Sequence, residues 1–248
     1  VSDPAAGSYY IESLTDSIAE EAWKLFLEVD AQGGFLEAVS NGFIQQKIKA
    51  TAQNRAADLA SRKDIILGVN QYPNFTEKIE DEIPGHILHP QEITGNTQTL
   101  GQHRNSQPFE ELRYRTDAHS RDHKRPAVFM FTYGNLAMRI ARSQFSRNFF
   151  ACAGFETIDN LGFKSVEEGV KAYHDSKAEI LVVCSADEEY PVIAPAIFEL
   201  VKNKAIVVVA GFPKDIVEEL RAKGIENFIH VRSNVLDELR KFQSLLGI

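Results

Sequence analysis

The amino-acid sequence predicts an α/β protein whose C-terminal half is a parallel sheet of five strands, covered by helices on both faces. Three observations carry the prediction. Between Arg125 and Ile248, short apolar runs alternate strictly with amphipathic segments of helical period. Most of those runs are apolar at nearly every residue, as strands buried on both faces must be. The Ser165-x-x-Glu168 pattern, a capping box, marks the start of one intervening helix.

From the N-terminus, Ser8 to Glu12 reads as an extended entry. Leu14, Ile18, Ala22, Leu25, Phe26 and Val29 then recur at helical spacing behind a Ser13-x-x-Asp16 capping pattern, and Gly33-Gly34 stops the helix. A short apolar piece, Phe35 to Val39, precedes Gly42. A longer helix follows with Ile44, Ile48, Ala52 and Leu59 on one face, and Ile65 to Val69 reads as a buried strand. These elements are too few to enclose a (β/α)8 barrel of ~250 residues, but enough for its last part. From Asn70 to Gln107 prolines punctuate a polar linker, too long for an ordinary loop. Phe109 to Arg121 returns to helix, with Glu110 and Glu111 first and arginines later, the order the helix dipole favours.

The strands expected beyond Pro126 are Ala127–Thr132, Glu156–Ile158, Ile180–Cys184, Ile206–Ala210 and Phe228–Val231, with helices near 136–152, 166–176, 191–202, 214–223 and 235–246. The expected order is 2-1-3-4-5, the flavodoxin-like arrangement. Such sheets bind ligands beyond the carboxyl ends of their strands, at the switch point between strands 1 and 3. The loops that matter are therefore Tyr133–Leu136, Ser185–Tyr190 and Gly211–Pro213.

A net charge of -8, with neither half basic, argues against a nucleic-acid partner, because such binding rests on Lys and Arg neutralising phosphates. Cys152 and Cys184 sit in apolar runs and read as small buried hydrophobes, which fits a reducing cytoplasm. No run approaches the ~20 apolar residues of a membrane span, and no signal-peptide pattern opens the chain. The start at Val1 suggests a piece of a longer protein.

At the switch point the first loop offers one glycine, Gly134, and the chain has no G-x-G-x-x-G or P-loop to cradle a phosphate. A receiver-type site would need carboxylates at the end of strand 1, but Phe131-Thr132-Tyr133 has none, so Asp187 lacks acidic partners. Gly134, Asn135, Ser185, Asp187 and Gly211 are thus read as a degenerate site: no catalytic, cofactor-binding or metal-binding residue is expected.

Several segments carry a resemblance. Asp3-Pro4-Ala5-Ala6-Gly7-Ser8-Tyr9-Tyr10-Ile11-Glu12-Ser13-Leu14-Thr15 resembles the late barrel segment of methylmalonyl-CoA mutases, and Phe109-Glu110-Glu111-Leu112-Arg113-Tyr114-Arg115-Thr116-Asp117-Ala118-His119 is similar to the helix before their cobalamin-binding domain. Arg125 to Phe129 resembles that domain's first strand, so practically the whole chain is covered. Catalytic chains of the family carry an Asp-x-His-x-x-Gly loop whose histidine ligates cobalt and whose aspartate orients the imidazole. Here Gly134-Asn135-Leu136-Ala137-Met138-Arg139 stands instead. This stretch, with Phe149 to Glu156 and Ser185 to Tyr190, resembles the small chain of the heterodimeric mutases.

The resemblance implies a non-catalytic small subunit supporting a large subunit that holds adenosylcobalamin and interconverts methylmalonyl-CoA and succinyl-CoA. It implies no cofactor in this chain, the large subunit as partner, self-association if a fragment stands alone, and domains at 1–70 (barrel remnant), 71–124 (linker with helix 109–121) and 125–248 (degenerate cobalamin-binding domain). Two alternatives stay open: a domain that still binds adenosylcobalamin without a histidine ligand, and a nucleotide- or flavin-sensing module.

Other candidates have plainer readings. Asp117, His119, Asp122 and His123 could approach a metal, but no third ligand of known geometry follows, so a solvated helix end is expected. His86 and His89 read as loop residues, Met138 as core, and Tyr9 and Tyr10 as packing anchors rather than cavity lining. Glu188 and Glu189 are either a subunit contact or a solvated turn.

Overall fold

A computed structural model describes residues 2–79, 100, 104–202 and 204–248. The expectations for His86 and His89 lie outside these residues, as does much of the proline-punctuated linker. The chain divides into two compact units, the break falling after Asn54.

In the first unit, α1 spans Tyr9–Ala31, α2 Phe35–Ser40, and α3 Phe43–Ala60 runs on into the second. The expected extended entry and the Ser13 cap are corrected. Ser8 is the N-cap and Tyr9 is already helical, while Glu12 in the first turn reaches back to accept the Gly7 N–H at 2.9 Å. That contact satisfies a donor ahead of the helix and fixes its start one turn earlier than the capping pattern suggested. Gly33 and Gly34, at φ 93° and 94°, stop α1 as expected. No residue of α1 is buried: Ile18, Trp23 and Phe26 are each more than half exposed, and Tyr9 is 95% exposed. Among the described residues Tyr9 and Tyr10 are therefore exposed and do not act as packing anchors.

The expected strand Ile65–Val69 is a turn. Leu67 bridges only to Gln71, four residues on, and is 75% exposed. Asn70 explains the change. Its fully buried side chain accepts from Ile66 N–H and donates to the carbonyls of Leu59 and Asp64, satisfying locally the groups a sheet would otherwise pair.

Helix α4, Gln107–Asp122, leads into β1 (Ala127–Thr132), α5 (Leu136–Ala151), β2 (Glu156–Ile158), α6 (Val166–Ser176), β3 (Ile180–Cys184), α7 (Tyr190–Val201), β4 (Ile206–Ala210), α8 (Val217–Ala222), β5 (Asn227–Ile229) and α9 (Val235–Leu245). The sheet is parallel with order β2-β1-β3-β4-β5, the flavodoxin-like arrangement expected. Strand alternation sorts the apolar runs into two cores. Phe129, Phe131, Leu181, Val183, Val207 and Val209 pack under α6, α7 and α8. Val128, Met130, Ile180, Val182, Val208 and Ala210 pack under α4, α5 and α9, beside Phe149, Phe150 and Phe242. Each such large side chain contributes about 1.5–3 kcal/mol by leaving water.

Two boundaries shift in the last unit of the sheet. Beta-strand β5 ends at Ile229 rather than Val231, because Ser233 Oγ accepts the His230 N–H at 3.0 Å and turns the chain away, leaving Val231 80% exposed. Helix α8 starts at Val217 rather than Lys214, since the Pro213 carbonyl accepts from both Ile216 and Val217 and holds the intervening residues in a turn.

Candidate functional site

The switch point lies where β1 and β3 release their chains to α5 and α7. Gly134 takes φ 72°, a conformation few residues other than glycine adopt, and Asn135 caps α5 by accepting the Met138 N–H at 3.1 Å. Opposite them, Ser185 is buried and its Oγ stands 2.9 Å from the Tyr133 carbonyl. Between these loops sits the carboxylate of Glu189. It accepts from Ser185 Oγ, from Ala186 N–H at 3.0 Å and from Asn135 N–H at 3.4 Å, all through Oε2. The single Ser185 proton is shared between this carboxylate and the Tyr133 carbonyl. A Cβ placed on Gly134 would stand 1.9 Å from Glu189 Oε1, so the absent side chain of one residue is the space occupied by the other.

Glu189 is thus held by its own chain rather than left as a solvated turn. Partial burial pushes its carboxyl up, but the bonds from Ser185, Ala186 and Asn135, with Arg139 nearby, outweigh that and hold its pKa below the ordinary range. It remains ionised at neutral pH. Asp187, by contrast, points outward and pairs with Arg142 at 2.9 Å, and Glu188 is exposed. Tyr190 is fully buried at the start of α7, where its hydroxyl donates to the Ala210 carbonyl at 2.6 Å and ties the helix to the end of β4. Burial raises its pKa strongly, and the neighbouring Cys184 adds to that, which keeps the hydroxyl a donor.

Two arginines close the site from α5. Arg139 donates to the carbonyls of Gly134 at 3.3 Å and Leu161 at 3.0 Å. Arg142 reaches Asp187 and lies against Gly211, where a Cβ would meet its Nη1 at 3.0 Å. Gly211, with φ 148°, donates its N–H to Ile229 at 2.8 Å and so belongs to the sheet's rim. The charges of Glu189, Asp187, Arg139 and Arg142 are therefore spent on one another and on backbone. Sequence reasoning missed the arginines, although cations in the first two turns of a helix oppose its dipole and so signal partners elsewhere.

A hollow of about 240 Å³ lies beside the switch point, lined by Thr132, Arg139, Ser143, Arg147, Asp159 and Asn160. It falls below the roughly 300–1,000 Å³ of ordinary ligand pockets. Met138 is 36% exposed and is not core. His119 and His123 stack at 4.5 Å at the end of α4, and Asp117 turns away to pair with Arg125. Among the described residues no group of three or more His, Cys, Asp or Glu lies close enough to hold a metal, and no described helix is long and apolar enough to cross a membrane. Both cysteines are buried and free; burial raises both thiols, that of Cys184 to about 12. Such thiols are poor nucleophiles.

Comparison with known proteins gives these loops a context. The profile of a family described as Methylmalonyl-CoA mutase matches residues 1–121. The chain is 51% identical over 249 residues to the methylmalonyl-CoA mutase small subunit of Porphyromonas gingivalis, a match covering 100% of this chain and 40% of that one. It is 34% identical over 204 residues to the methylmalonyl-CoA mutase small subunit of Streptomyces virginiae, covering 82% and 32%. To the probable methylmalonyl-CoA mutase small subunit of Mycobacterium bovis it is 32% identical over 250 residues, covering 100% and 38%. The chain spans at most two fifths of the length of these relatives.

Proposed function

The chain belongs to the methylmalonyl-CoA mutase family, and from that premise we propose that it is the C-terminal part of a small subunit that does no chemistry and supports a catalytic large subunit. The observation that carries this reading is the Glu189 carboxylate lodged at the switch point. Adenosylcobalamin, the group the family implies, does not fit the residues present there. Gly134 and Asn135 offer no imidazole and no carboxylate to orient one. A nucleotide tail entering between β1 and β3 would have to displace Glu189 from Ser185, Ala186 and Asn135. It would also bring phosphate against carboxylate, a repulsion that burial strengthens.

The reaction served is the interconversion of methylmalonyl-CoA and succinyl-CoA, with adenosylcobalamin bound on the partner, in a cytoplasmic heterodimer. Free, buried cysteines suit a reducing compartment. Residues 1–70 are read as the end of a barrel, and the bare apolar side chains of α1 support that, since surfaces of this kind are normally covered. The test is co-expression with a histidine-bearing large chain. The reading predicts co-purification and mutase activity that survives Ser185→Ala and Glu189→Gln in this chain. A large chain that is fully active and stable alone would overturn the supporting role. Mutase activity from this chain alone would overturn the non-catalytic one.

A further inference from the structure

We propose that the second unit carries a binding pocket, separate from the switch point, for a mononucleotide-type ligand: a flat heteroaromatic ring bearing an anionic tail. The pocket, about 480 Å³, opens between the turn that follows α3 and the outer face of α5, and its walls include Arg62, Tyr72, Phe75, Gln144, Phe145 and Arg147. The volume lies within the range of ordinary ligand sites. In a chain of net charge -8, two guanidiniums and no carboxylate line it.

Backbone strain points to the same place. Three described residues other than glycine have positive φ, and two of them, Arg62 at 59° and Tyr72 at 51°, are walls of this pocket. Conformations of that kind persist where the surroundings impose them, and they concentrate at ligand clamps. What imposes them here is the buried Asn70 knot, together with Arg62, whose Nε donates to the Asn70 carbonyl at 2.6 Å while Nη2 reaches the Asn148 carbonyl on α5 at 3.4 Å. The result holds Tyr72, 65% exposed, and Phe75, 48% exposed, in fixed positions beside α5 instead of burying them.

The wall chemistry selects the ligand class. Exposed aromatic rings give a flat ring system a stacking surface, and a stacked base is worth about 1–3 kcal/mol. The amide of Gln144, on the exposed side of α5, can pair with the edge of a heterocycle. Arg147 lies over the Phe75 ring at 5.2 Å and is held by Asp159 at 2.8 Å, so its guanidinium is pre-positioned at the pocket floor. Gln144 and Arg147 also line the 240 Å³ hollow, together with Arg139 and with Asp159, which pairs with Arg147 and accepts from Ser143 Oγ, so an anionic tail leaving the ring site meets two guanidiniums beside one carboxylate.

The test is calorimetric titration of the full 248-residue chain with AMP, adenosine and inorganic phosphate. AMP is expected to saturate below about 1 mM, with adenosine and phosphate each binding at least about tenfold more weakly because each supplies half of the contact. Tyr72→Gly removes the ring yet suits the positive φ. It is therefore expected to weaken AMP by about tenfold or more with a melting temperature equal to or above the parent's. Arg147→Gln should weaken AMP and spare adenosine. Absence of saturable AMP binding overturns the proposal, as does phosphate binding as tightly as AMP, or unchanged affinity in Tyr72→Gly.

Discussion

A Cβ on Gly134 would stand 1.9 Å from Glu189 Oε1, so these two positions cannot be varied independently. Gly134→Ala is expected to cost about 2 kcal/mol or more, from positive φ and the clash together. In a Glu189→Ala background only the backbone part should remain, so a double-mutant cycle in urea should show coupling of about 1 kcal/mol or more. Glu189→Gln is expected to lose about 1–3 kcal/mol at pH 7. The pH dependence has a definite sign. Because the folded carboxyl titrates below its ordinary 4.5, its stabilisation is complete above that value and disappears as pH falls through the lowered one. The deficit of Glu189→Gln should therefore be constant from pH 7 to 5 and shrink only in more acid solution. His230 behaves similarly near neutrality. Burial, and then Arg232, hold its pKa below 6.5, and its Nδ1 accepts the Arg232 N–H at 3.1 Å. Stability from the neutral ring is present above 6.5 and falls away below it, so the urea midpoint of the parent should drop between pH 7 and 5 more than that of His230→Gln.

At the scale of elements, β1, β3 and β4 were legible because burial on both faces demands unbroken apolar runs, and the capping box at Ser165 forms, its side chain accepting the Glu168 N–H at 3.2 Å. Ile65–Val69 misled because an apolar run says nothing about whether a neighbour exists to pair with it; Asn70, the residue that made the turn, looked like an ordinary loop residue. Gly169 shows a further limit of pattern reading. In an exposed helix, Gly→Ala normally stabilises by about 1 kcal/mol. Here a Cβ would stand 2.4 Å from the Phe131 ring, so α6 approaches the sheet more closely than any side chain permits. Gly169→Ala is expected to destabilise by about 1–3 kcal/mol, and a raised melting temperature would contradict the packing described.

For the whole molecule, the sequence marked the switch point as empty of ligands but not as filled. Missing residues can be read from a string, whereas the fold of Glu189 back over Gly134 depends on a contact 55 residues apart. The exposed apolar side chains of α1 make a separate prediction: the isolated chain should self-associate with rising concentration in light scattering, and Trp23→Glu with Phe26→Lys should suppress it without changing the sheet's circular dichroism. We propose that the flavodoxin-like domain holds no cobalamin because its own carboxylate occupies the crevice. The most direct test is an absorbance titration of the chain with adenosylcobalamin. No saturable spectral change is predicted for the chain, whereas saturable binding, with or without a histidine-ligated spectrum, would contradict it.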